Sequence, residues 1–184
     1  MIGPAVYLIL VLVMAGIVHL STVLAMPWLA ARDAFVRIGQ VASDNVMVVI
    51  ATDKAREILP YADPAVATAV CRFVLDQGPV RVRMPTGETP MTMIVLRKGA
   101  GIIHSLSDRA ATQGVLEAVI ATPRQMATIT DLDSDDEVVQ EIRIMSRDVS
   151  GLVILHALVP VASERASVEQ ALRAASCEPE SLQD

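Results

Sequence analysis

His19 sits in an apolar run, "AGIVHLSTVLAMPW" (15–28), and no charged side chain precedes Arg32. An ionisable group inside a membrane-length segment is a functional candidate by default, because removing it from water must be offset by a partner. On a helix His19 shares a face with Leu12, Ala15, Gly16, Thr22, Val23 and Met26. Small residues there let another helix approach closely, and His or Thr can hydrogen-bond across the contact. The expected role is packing against a partner span. The plainer alternative is a neutral imidazole tolerated in lipid or bonded to local backbone.

Three other groupings carry reactive residue types. "HSLSDRA" (104–110) holds His104, Asp108 and Arg109. A nucleophilic triad draws its members together from distant segments, whereas neighbours on one strand alternate faces. Asp108 and Arg109 are therefore read as bracing a turn by capping and a local ion pair. A ligand-binding or enzymatic site around His104, Asp108 and Arg109 is the alternative. "DLDSDDE" (131–137) starts like a calcium loop, with Asp131, Asp133 and Asp135 at positions 1, 3 and 5. Position 6 is Asp136 where glycine is needed, and position 12 is Ile142 where glutamate is needed. A solvated acidic turn is expected. His104 and His156 fall in predicted strands without the convergent ligands that zinc requires, so no metal site is expected.

Cys71 and Cys177 are the only cysteines. In an exported domain an even pair suggests one disulfide, which would pin the last helix to the sheet. In a cytoplasmic domain they would be two buried thiols.

These residues need elements to hold them. Ala5 to Met26 is almost wholly apolar, and a bilayer core of ~30 Å needs ~20 such residues as helix. Tyr7 and Trp28 would place one aromatic at each interface, ~32 Å apart at the helical rise. Pro4 suits a helix start, and Pro27 its end or a kink. A cleaved secretory signal fits less well, since "MIGPA" carries no Lys or Arg and the apolar run is too long. Residues 1–31 are thus expected to be a transmembrane anchor, 32–45 a juxtamembrane linker with a short helix, and 46–184 a globular domain. Arg32 and Arg37 after the span mildly favour a cytoplasmic domain, and the cysteines favour the opposite side.

In the remainder, "VMVVI" (46–50), "CRFVL" (71–75), "VRVRM" (80–84), "VLEAVIAT" (115–122), "EVVQEIRIM" (137–145) and "GLVILHALVP" (151–160) read as strands, the last as central. "TPMTMIVLRK" and "IIHSL" read as a hairpin around "GAG". Asp63-Pro64 predicts a short helix to Val70, and "SERASVEQALRAAS" (163–176) a C-terminal amphipathic helix capped by Ser163. Its inner face would be Val168, Leu172 and Ala175. The expected fold class is α+β: one transmembrane helix, then a mostly antiparallel, sandwich-like β domain of about seven strands with that helix at its end. A net charge of −6 without a basic patch, and aromatics at 3%, disfavour nucleic acid as a partner.

Two resemblances add to this. "AVCRFVLDQGPVRVRMP", "IIHSLSDRAATQGVLEAVIATPRQ", "GLVILHALVP" and "ALRAASCEPE" resemble small membrane-anchored alphaproteobacterial proteins related to the DUF 1254 family, whose function is unknown. The likeness runs from about His19 to Cys177. "PMTMIVLRKG" departs from the aromatic-rich strand usual there. The resemblance implies a β-sandwich-like domain on the periplasmic side of the bacterial inner membrane, and no reaction. Separately, Ala15, His19 and Trp28 are similar in spacing to the pigment-ligating helix of bacterial light-harvesting polypeptides. That likeness implies a bacteriochlorophyll contact at His19; otherwise no cofactor is expected. The combined expectation is a non-enzymatic accessory or assembly subunit whose partners are the lipid bilayer and other integral membrane proteins. A photosynthetic-complex subunit, and an anchored ligand-binding domain or enzyme, are the alternatives.

Overall fold

The computed structural model describes residues 3–51, 58–59, 62–98, 101–133 and 141–181. Helix α1 runs without interruption over Pro4–Gly39, with Pro4 in its first turn. Pro27 lies inside it and does not end it. The missing N–H costs one bond, to the carbonyl four residues back; the flanking Met, Leu and Ala residues are strong helix formers that carry the helix past it. The part from Pro4 to Pro27 is long and apolar enough to cross a membrane, and none of it is buried against the rest of the chain.

The strands are β1 (Val48–Ile50), β2 (Val66–Val74), β3 (Val80–Pro85), β4 (Met91–Arg97), β5 (Ile102–Ser107), β6 (Val115–Ala121), β7 (Ile142–Met145), β8 (Ser150–Leu158) and β9 (Ser176–Pro179). Among the described residues, further helices are α2 (Pro123–Leu132) and α3 (Arg165–Arg173). The strands form a five-stranded sheet, β1-β2-β8-β4-β5, and a four-stranded sheet, β7-β6-β3-β9. All pairings are antiparallel except β6 with β7, which α2 joins in parallel. The fold is thus α+β, as expected, with β8 at the centre of the larger sheet.

The sheets bury one face each against the other. Ala67, Ala69, Cys71 and Phe73 of β2 alternate inward, as do Val153, Leu155 and Ala157 of β8; Val80, Val82 and Met84 of β3 meet them from the smaller sheet. Gly151 is needed here: a Cβ on it would lie 2.3 Å from the Leu96 carbonyl oxygen and 2.4 Å from the Phe73 ring. Helix α3 buries Val168 and Leu172 in the same core, with Ala175 just beyond it.

Several expectations are corrected. The segment after Asp63-Pro64 is not a helix to Val70 but the start of β2. Asp63 caps a tight turn instead, its Oδ1 accepting from Ala65 N–H at 2.8 Å, and the alternation of Val66 to Val70 then runs on into Cys71. Ser163 does not cap α3. It lies in a 3₁₀ turn, Ala162–Glu164, that feeds directly into the helix, whose N-cap position is Glu164. Helix α2 was not expected, although Thr122 and Gln125 form a capping box around Pro123. Nor was β9, which brings the strands among the described residues to nine rather than about seven.

Candidate functional site

The residues expected to pack against a partner span, Leu12, Ala15, Gly16, His19, Thr22 and Val23, all lie on α1 and are all exposed, as is Tyr7. Trp28 is on the same helix, but its side chain falls outside the described residues. A shallow groove runs along α1 from Tyr7 to Thr22 past Met14, Ala15, Val18 and His19. It shares Ala15, His19 and Thr22 with the expected face and leaves Leu12, Gly16 and Val23 beside it. The Thr22 hydroxyl donates to the Val18 and His19 carbonyls, each at 2.9 Å. Its proton is therefore spent within the helix, while its oxygen can still accept. The His19 ring makes no hydrogen bond among the described residues, so the imidazole, not the threonine, is the polar group free to reach a partner.

The far end of α1 is built differently. Ile38 is fully buried and Ala42 nearly so, in a cluster with Ile50, Val70 and Leu152. Val70 and Leu152 point to the outer face of the five-stranded sheet, opposite the inward Ala69 and Val153. The last turns of α1 therefore lie across that face. Just beyond them, Asn45, held at a positive φ of 56°, uses its side chain as a strand edge: its amide donates to the Val74 carbonyl at 3.0 Å and accepts from Val74 N–H at 2.8 Å. Asp44 pairs with Arg72 beside it. Lys98 Nζ stands 5.6 Å from the centre of the Phe35 ring, a cation–π distance.

His104 is exposed on β5, the edge strand, and Asp108 and Arg109 occupy the 3₁₀ turn Asp108–Ala110 that follows. The turn exists as expected, but its bracing differs. It closes through backbone, Ala111 N–H to the Asp108 carbonyl at 3.0 Å, and among the described residues neither a side-chain cap nor an Asp108–Arg109 ion pair is formed. No hydrogen bond or ion pair joins His104 to either.

Asp131 and Asp133 end α2, while Asp135 and Asp136 lie outside the described residues. Asp133 has a partner other than a cation. It takes a two-pronged contact from Arg143 at 2.5 and 2.8 Å, which holds its carboxyl below the usual value. Among the described residues no group of three or more His, Cys, Asp or Glu is placed to hold a metal ion.

Cys71 and Cys177 are bonded, with Cα atoms 6.5 Å apart. Because Cys177 belongs to β9 and not to the end of the helix, the bond joins the two sheets through the core, rather than pinning α3 to one of them.

Sequence reasoning missed two polar groupings. Arg81 on β3 reaches Glu117, Glu141 and Glu180, and Arg143 links Glu141 to Asp133. Partial burial works against the charge of Arg81, but the three carboxylates outweigh it and raise its pKa. The basic positions of "VRVRM" signalled an exposed face, though not these partners. On the other sheet, register places Thr68, His156, Thr92 and Ser107 in one row across the outer face. Burial lowers the His156 pKa, because it disfavours the charged ring. Nothing local in the sequence reveals that row.

No family model matches the chain, and no curated protein matches it. Among solved structures it is similar to the VPA0106 protein of Vibrio parahaemolyticus, with a TM-score of 0.55 at 11% identity over 81% of this chain. It also matches an uncharacterised protein of Burkholderia cenocepacia, with a TM-score of 0.42 at 8% identity over 62% of this chain. The chain spans 37% of the first and 31% of the second. The first likeness is one of fold.

Proposed function

We propose that Pro4–Pro27 crosses the bacterial inner membrane once, that the β domain lies on the periplasmic side, and that the chain is a non-enzymatic accessory or assembly subunit of a larger membrane complex. One observation carries this reading. A single helix presents an apolar stretch with no covering inside the chain and roots its other end in the sheet. An apolar surface of that size needs lipid or protein around it, and the root holds the domain close to whatever surrounds the stretch. His19 gives the stretch a polar point of recognition. The Cys71–Cys177 bond supports the oxidising side of the membrane. Kinship with the DUF 1254-related anchored proteins is part of the same proposal and rests on the shared motifs.

The test is a mild-detergent pull-down of the full chain from native membranes, with His19→Leu as control. A defined set of co-purifying membrane proteins, lost with His19→Leu, is the expected result. A chain that elutes alone overturns the subunit reading. Absorption of the same eluate in the bacteriochlorophyll bands would replace it with the pigment-binding alternative. Trapping free thiols before lysis tests the side: both cysteines should be protected, and reactive thiols would place the domain in the cytoplasm.

A further inference from the structure

We propose that the partner of the His19 face is a second copy of this chain, the two spans lying parallel with their imidazoles hydrogen-bonded to each other across a two-fold axis. The inference rests on the reading that Pro4–Pro27 crosses the bilayer and packs there through His19, and it names the occupant. Its first basis is the balance of donors and acceptors. The His19 ring is exposed and makes no hydrogen bond among the described residues. An uncharged imidazole carries one donor N–H and one acceptor nitrogen, so two such rings satisfy one another. Thr22 does not supply the donor, because its proton goes to the Val18 and His19 carbonyls. Between Tyr7 and Trp28 the chain has no other ring nitrogen, no side-chain amide and no charged group. A different span would have to bring a polar residue of its own to the depth of His19. A copy threaded in the same direction brings one there by construction.

The helix also leaves room for the contact. A helical side chain covers the turn N-terminal to its own Cα, and for His19 that turn holds Ala15 and Gly16. Ala15 projects only a methyl group, and the space where a Gly16 side chain would stand is open. Two backbones can approach closely there and let the rings meet. The shallow groove from Tyr7 to Thr22 passes through Ala15 and His19 and follows the helix for about 22 Å. A two-fold pair uses one patch twice, so the same groove offers apolar packing above and below the imidazoles on both copies. Charge does not oppose the pairing within the bilayer, since no charged side chain precedes Arg32.

The experiment uses the full chain in native membranes, cross-linked by oxidation of one introduced cysteine per variant. Cys71 and Cys177 are bonded and buried, so they do not take part. Ala15→Cys and Thr22→Cys, on the His19 face, should give a band of twice the chain's mass. Val13→Cys and Leu24→Cys, on the opposite side of the helix, should not. Within Ala15→Cys, adding His19→Leu should weaken the association about threefold to tenfold, the range for one interhelical hydrogen bond. His19→Asn, whose amide also donates and accepts, should restore it. Equal cross-linking from both sides of the helix means random collision and overturns the proposal. An undiminished dimer with His19→Leu overturns it as well. If no band of twice the mass forms while other membrane proteins still co-purify, the copy is not the partner and the subunit reading stands. If carbonate strips the chain from the membranes, both readings fall.

Discussion

The two sheets present opposite outer faces. That of the four-stranded sheet is ionic: Arg81 and Arg83 alternate with inward valines, and Glu117 on the neighbouring strand meets both. That of the five-stranded sheet is apolar around Val70, Leu152 and Ile154, and the end of α1 covers it. The difference shows in the primary structure. "VRVRM" alternates, as a strand wet on one side should, whereas "GLVILHAL" runs apolar on both faces, as a strand buried on both sides should. A strand that reads as doubly buried requires a cover, and here the cover is the root of the helix whose other end has none.

The largest way to break this comparison is to unfasten the sheets. Cys71→Ser with Cys177→Ser opens a closure of 106 residues, and denaturation in detergent should show a loss of about 4–5 kcal/mol. Next is the covered face. Ile38→Ala leaves a cavity under α1 and should cost about 3 kcal/mol, with the same cost at low and high salt. The ionic face should behave otherwise. Arg81→Gln should cost only about 1 kcal/mol, and the loss should shrink as salt screens the remaining interactions of Glu117, Glu141 and Glu180. Equal salt dependence in the two variants would erase the distinction between the faces.

The smallest effect is one of pH. The folded state holds the His156 pKa below its value in the unfolded chain, so below about pH 6.5 the unfolded state binds more protons. Stability should fall as pH drops through that value toward the lowered one. His156→Gln should flatten this part of the profile, as followed by the denaturation midpoint.

Much of the architecture is legible in the primary structure. Repeated apolar spacing identifies β3, β4, β6, β8 and the inner face of α3, because each buries a regular set of side chains, while the glycine turn marks β5, which buries none. What failed lacked that regularity. β9 is four residues, "SCEP", whose single buried member, Cys177, looked like the tail of a helix. α2 buries none of its residues, so only its capping box marked it. Asp63-Pro64 is a sound helix signal, but the turn used it and the tertiary demand for a long β2 prevailed. For the site, His19 stood out because nothing around it is charged. The approach of Lys98 to Phe35, and the row through His156, depend on strand register and on where a helix lands, which no local pattern encodes.

The unbroken run of α1 has a mechanical consequence. The apolar part, 24 residues, is about 36 Å long, while the hydrocarbon core is about 30 Å thick. Such a mismatch is relieved by leaning the helix. A swivel at the water boundary would absorb that lean. If Pro4–Pro27 spans the bilayer as proposed, this chain places helix there instead, fixed to the sheet by Ile38 in its last turn and Ala42 just past its end. The lean is therefore passed on, and a change in bilayer thickness would re-aim the whole β domain like the head of a lever.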